Sequence, residues 1–133
     1  MRRTVMAVVL LLLSAASADA QGLQPNTTWQ NDKGSEFTIL GISSDGSLKG
    51  TYTNRAVGFQ CQNTPFPVVG WIDGEKIAFS VRWKNAQQDC QSITSWTGYL
   101  SGNRILTDWD LVYLDATEKR PLMYRGTDYF KKK

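Results

Sequence analysis

Histidine is absent from all 133 residues. Its absence removes Ser-His-Asp triads, Cys-His dyads and every zinc site that needs imidazole. Two cysteines cannot make a four-thiolate metal centre either, so no metal is expected. Proline is scarce at four residues, and charged residues are 20% against 41% apolar, a composition that folds. Net charge is a modest +3, and three of the positive charges sit in the terminal Lys131–Lys133, so no clustered basic face invites a nucleic acid. The longest apolar run, Val5 to Leu13, is nine residues, short of the roughly twenty that cross a bilayer as a helix.

That run has another reading. Arg2 and Arg3 precede it and Ala18-Asp19-Ala20 follows. A charged n-region, an apolar h-region and an A-x-A site describe a secretory signal peptide over residues 1–20, cleaved before Gln21. The mature domain is then 21–133, secreted or periplasmic. Export lets a bond between Cys61 and Cys90 persist. One disulfide is the default, and two buried free thiols are the alternative.

Turn signals recur at Asp32-Lys33-Gly34, Ser44-Asp45-Gly46, Asp73-Gly74 and Ser101-Gly102-Asn103. Between them lie short runs rich in β-branched and aromatic residues. Eight strands fit, over about 27–32, 35–42, 47–55, 66–72, 76–84, 92–101, 103–113 and 121–130. Short connections favour an antiparallel meander. The expected fold is all-β, an eight-stranded up-and-down barrel, which leaves no exposed edge.

Alternate strand residues face opposite sides, so parity separates inside from outside. Ile77, Phe79, Val81 and Trp83 share one face of the fifth strand; Ile105, Thr107, Trp109, Leu111 and Tyr113 share one of the seventh. Asp108 and Asp110 then point outward, which argues against reading them as a catalytic carboxylate pair. The fourth strand is ambiguous. The same count turns Asn31, Ser35, Tyr52, Asn54, Ser92, Thr94 and Asp128 inward, beside Phe79, Trp96 and Trp109. Polar groups inside a small barrel are costly unless paired. They are either a self-satisfied network or the convergent groups of a small-molecule pocket with aromatic walls.

The segments WQNDKGS (29–35), GTYTN (50–54), AFSVRWKN (78–85), SITSWTGY (92–99), TDWDLVY (107–113) and RGTDYF (125–130) together resemble the avidin and streptavidin family of biotin-binding barrels. The stretch NRAVGFQCQNTPFPVVGW (54–71), with Cys90, is similar to the short dimeric, rhizavidin-like bacterial avidins. The resemblance implies non-catalytic, high-affinity biotin binding in the open end of the barrel, with biotin as ligand and no cofactor. It implies that Asn31, Ser35 and Tyr52 donate to the ureido oxygen, and that Asp128 and Asn54 accept from the ureido N–H groups. Thr94 would face the thiophane sulfur, and Ser92 the valeryl carboxylate. Phe79, Trp96 and Trp109 would form the cage, while Trp29 and Trp83 would be core. A Cys61–Cys90 disulfide would tie two loops at the pocket rim.

Tetrameric relatives lend a neighbour a tryptophan eight residues before the aspartate. Here that position is Arg120, and no tryptophan follows Trp109, so a homodimer is expected. Trp71 reads as a dimer or surface aromatic. Two other classes compete with binding. A secreted enzyme would need a histidine, an activated nucleophile or a second inward carboxylate, and the chain offers none. A barrel for another small molecule, or a structural or inhibitor module, is the remaining alternative.

Overall fold

The computed structural model describes residues 22–133 and contains eight strands; the leader assigned to residues 1–20 lies outside the described residues. The strands are β1 (Thr27–Asn31), β2 (Glu36–Ile42), β3 (Ser47–Thr53), β4 (Pro65–Asp73), β5 (Lys76–Lys84), β6 (Asp89–Ser101), β7 (Arg104–Asp115) and β8 (Arg120–Lys132). Each pairs antiparallel with its successor, and β8 returns to β1 to close the barrel. The last three strands are longer than the hydrophobic pattern suggests. The β7–β8 hairpin stays paired out to Asp115 and Arg120, the start of β6 pairs with β5 at Asp89 and Lys84, and the end of β8 pairs with β1 through Lys132. Asp115 Oδ1 accepts the backbone N–H of Thr117 and Glu118 at 2.9 and 2.7 Å, an Asx turn that holds the corner. At the other end Gly74 and Gly102 take φ values of 62° and 61°, which tight hairpins need and side chains resist.

Parity holds through the sheet. Trp29, Phe37, Ile39, Leu48, Ile77, Phe79, Val81, Ile105 and Phe130 are buried inside. The ambiguous β4 resolves with Phe66 and Val68 inward, while Val69 and Trp71 stand outside at 62% and 58% exposure. Asp108 and Asp110 are exposed, and Asp110 pairs with Arg125 at 2.7 Å.

One end of the barrel is filled. Phe37 stacks on Phe79 with ring centroids 4.2 Å apart, and Phe130 meets both rings edge-on at 6.3 and 6.1 Å. This apolar plug supports the opposite, open end, where the inward residues become polar. Cys61 and Cys90 form a disulfide with Cα atoms 6.2 Å apart, joining the β3–β4 loop to the first residues of β6.

Because that bond crosses from a loop to a strand already held by neighbours, its loss leaves the barrel pairing intact. The Cys61→Ser/Cys90→Ser double variant is expected to keep its far-UV circular dichroism spectrum. Closing 29 residues of chain contributes about 3–4 kcal/mol in the chain-entropy picture, so denaturant melts should show a loss of that size.

Candidate ligand-binding site

The open end encloses a cavity of about 640 Å³. Its floor and walls come from β1, β3, β5, β6, β7 and β8, and its outer rim from the β3–β4 loop, residues 56–60. Asn31, Tyr52, Asn54, Ser92, Thr94, Trp96, Trp109 and Asp128 all reach it. Two expected residues do not. Ser35 lies behind the wall, fully buried, with Oγ donating to Asn54 Oδ1 at 3.3 Å and accepting from the Arg55 N–H at 2.9 Å.

Phe79 is also behind the wall, stacked between Phe37 and Trp96, the latter at 4.9 Å. Trp83, assigned above to the core, is buried within it and also lines the cavity. Both residues share one face of β5. Four residues at about 3.3 Å each set Trp83 some 13 Å farther along the strand, toward the open end. Parity therefore selects the face correctly but not the depth.

Two aromatic groups form the lining. The inner one is Tyr52, Trp83 and Trp96, with Tyr52–Trp96 centroids 4.6 Å apart and Tyr52–Trp83 at 5.7 Å. The outer one is Trp109, Tyr124 and Phe59 of the β3–β4 loop, with each ring about 6 Å from the next. Phe59 sits in a loop without alternation, so no sequence period marks it. Gly126 makes room for Trp109: a Cβ there would collide with the indole. Trp109 Nε1 is the only buried side-chain nitrogen or oxygen among the described residues without a partner.

Hydrogen bonds fix the polar groups. Asn31 Nδ2 donates to Tyr52 Oη at 3.2 Å, while Asn31 Oδ1 accepts the N–H groups of Lys33 and Ser35. Asn54 Oδ1 already accepts from Ser35 Oγ and the Ala56 N–H, and its Nδ2 donates to the Gln60 carbonyl at 3.0 Å. Asn54 is therefore the residue that holds the rim loop. Thr94 Oγ1 accepts the Trp83 indole N–H at 2.8 Å.

Asp128 is 5% exposed, and its Oδ2 accepts the Trp96 indole N–H at 2.8 Å. Its Oδ1 receives the Lys33 ammonium at 2.6 Å, a partner that strand parity does not reveal because Lys33 lies in the β1–β2 turn. A carboxylate has about four acceptor positions, so Asp128 retains capacity for further donors.

Such an interior has relatives. The avidin family's sequence profile matches residues 19–133. The chain belongs to the avidin family. Afifavidin from Afifella pfennigii is 36% identical over 140 aligned positions, covering 93% of this chain and 86% of that protein. Hoefavidin from Hoeflea phototrophica is 33% identical, covering 95% and 90%. Among solved structures, the rhizavidin–biotin complex superposes with a TM-score of 0.77 at 40% identity, covering 83% of this chain and 92% of that one. Within this avidin-family barrel, the Cys61–Cys90 bond ties the rim loop to β6, and Arg120 lies exposed at the start of β8, paired with Glu118.

Burial keeps the Tyr52 hydroxyl protonated far above its usual range, and the Asp128 charge adds to the effect. Partial burial pulls the Lys33 ammonium down, but hydrogen bonds to Asp128 and Asp32 outweigh it and raise its pKa. The signs agree: the folded chain keeps protons that the unfolded chain releases near pH 10.0 and 10.5. Stability should thus be present below pH 10 and fall above it. Tyr52 alone should remove about 1.4 kcal/mol per pH unit. Denaturant melts from pH 8 to 11.5 should show that decline, and Tyr52→Phe should flatten it.

Proposed function

We propose that this chain is a non-catalytic binding protein for biotin, exported after removal of residues 1–20 and working as a homodimer. The observation that carries the binding reading is the convergence of Asn31, Tyr52 and Asp128 at the floor of a cavity walled by Trp83, Trp96 and Trp109. Neutral donors and an anionic acceptor side by side complement a cyclic urea. Asn31 Nδ2 and Tyr52 Oη face its oxygen, and Asp128 accepts from its N–H groups. An ionised acceptor makes the bond charge-assisted and draws electron density toward the ureido oxygen.

The fused sulfur ring and valeryl chain then pass between the indoles, toward Thr94 and on to Ser92 at the rim. Ser35 and Asn54 act at one remove, by bracing each other and the β3–β4 loop. Phe79 supports Trp96 from behind. The cavity is preformed and its wall residues are held by hydrogen bonds, which reduces the ordering a ligand must impose. A solved biotin complex of rhizavidin, with a matching barrel, supports the same choice of ligand.

Differential scanning fluorimetry with biotin-free refolded protein tests this directly. Biotin at a thousand times its dissociation constant should stabilise the fold by about 4 kcal/mol. Asp128→Ala should weaken binding by roughly 2–5 kcal/mol, because a ureido N–H is left buried and unpaired. Absence of any shift with saturating biotin would refute the reading.

The outer face of β6, β7 and β8 supports the dimer. Ile93, Val112 and Met123 are lateral neighbours in the sheet and remain 51%, 40% and 56% exposed. Tyr99, Leu106 and Tyr129 make a second such row. An exposed apolar face of this kind suits two-fold closure onto a second copy. Arg120 in place of an apolar lid argues against exchange of that residue into a neighbour's cavity, since an unpaired buried cation is heavily penalised. Sedimentation velocity should give a dimer with and without biotin, and Val112→Glu should yield monomers. A stable tetramer whose biotin release changes on Arg120→Ala would contradict the assembly.

A further inference from the structure

Among the described residues Lys33 is the one cation lining the cavity. Asn31 Oδ1 accepts its backbone N–H at 3.0 Å, which fixes the turn and aims the side chain across the barrel mouth. Its ammonium reaches Asp128 Oδ1 at 2.6 Å, the Thr127 carbonyl at 2.7 Å and Asp32 Oδ2 at 3.1 Å. An ammonium has three protons, and here the chain supplies an acceptor for each. Lys33 therefore has no donor left to offer a ligand.

We infer that Lys33 is an internal competitor for the Asp128 acceptor, stabilising the ligand-free barrel and weakening the hold on the ureido ring. The inference rests on the biotin reading above. Two observations point the same way. Asp128 is buried, so in the free protein its charge needs a partner, and among the described residues Lys33 is the only cation bonded to it. Trp96 already holds Oδ2, and Asn54 Oδ1 has both lone pairs engaged by Ser35 and Ala56. The ureido N–H groups must therefore share Asp128 with the ammonium, or displace it. A carboxylate partly neutralised by a cation is a weaker acceptor than a free one. Lys33 is a positioning residue in this sense: it acts on the ligand through Asp128.

Removing the competitor should move two quantities in opposite directions. In Lys33→Met the buried Asp128 carboxylate loses its partly exposed cation, so the melting temperature of the free barrel should fall by several degrees. The same variant leaves Asp128 short of a donor until the ligand arrives. Release of desthiobiotin, which keeps the ureido ring, should slow by about tenfold, the difference between a neutral and a charge-assisted bond. Lys33→Arg, which restores the cation, should return both values toward wild type.

Lys33→Gln provides a second variant should the methionine form fold poorly. It keeps a neutral donor for Asp128 and should also slow release, by less. Stopped-flow or surface plasmon resonance dissociation at pH 8.5, beside melts of the free proteins, reads both effects. Unchanged or faster release from Lys33→Met and Lys33→Gln would overturn the inference, while wild-type binding of biotin stands. Failure of the wild-type protein to bind either biotin or desthiobiotin would instead overturn the biotin reading, and the inference with it.

Discussion

Asp128 is a carboxylate with almost no access to water, and a buried charge is tolerated only where donors meet it. The donors come from distant parts of the chain: the Trp96 indole on β6 and the Lys33 ammonium in the β1–β2 turn. Meeting this need sets much else. Trp96 must present its N–H to β8, which orients its ring against Tyr52 on one side and Phe79 on the other. Tyr52 in turn accepts from Asn31, whose carbonyl oxygen organises the turn that carries Lys33. The circuit closes on itself through three regions of the sheet, and the cavity is what it encloses.

Such a circuit is stable only above a well-packed floor. Phe37, Phe79 and Phe130 fill the opposite end of the barrel with stacked and edge-on rings, so the polar half has no room to collapse. The polar residues then divide their work. Ser35 braces the rim from behind the wall, Asn54 both lines the cavity and holds the rim loop, and Asn31, Tyr52 and Asp128 face the cavity beside it. The disulfide adds a covalent constraint to the same loop, at a place where hydrogen bonds to Asn54 and Gln62 already restrain it.

The strict alternation of β5, β6, β7 and β8 made the barrel and its inward residues readable from the order of amino acids. Strand β4 resisted because Phe66, Val68, Val69 and Trp71 are all apolar, so neither face of the pattern is marked; only pairing with β3 and β5 decides it. The exchange of Phe79 and Trp83 has a different cause. A two-residue period assigns a side but carries no information on height, and the border between plug and cavity is a matter of height. Lys33 and Phe59 escaped for a third reason. Turns and loops lack periodicity, and a lysine beside a glycine reads as ordinary turn chemistry until the chain closes and brings Asp128 to it.

The barrel is a meander in which every strand pairing but one joins sequence neighbours. The exception is the seam, where β1 meets β8 only over Trp29–Asn31 and Phe130–Lys132. The seam is short, and it joins the two ends of the domain. Lys133 reaches over it to the Thr28 carbonyl and to Glu36. Asn31 stands on one lip of that seam and Asp128 on the other. A ligand gripped by both is a bolt through the joint, so occupancy and closure are linked by mass action. The pairing whose partners are farthest apart in the chain is thus the one that bound ligand would hold closed.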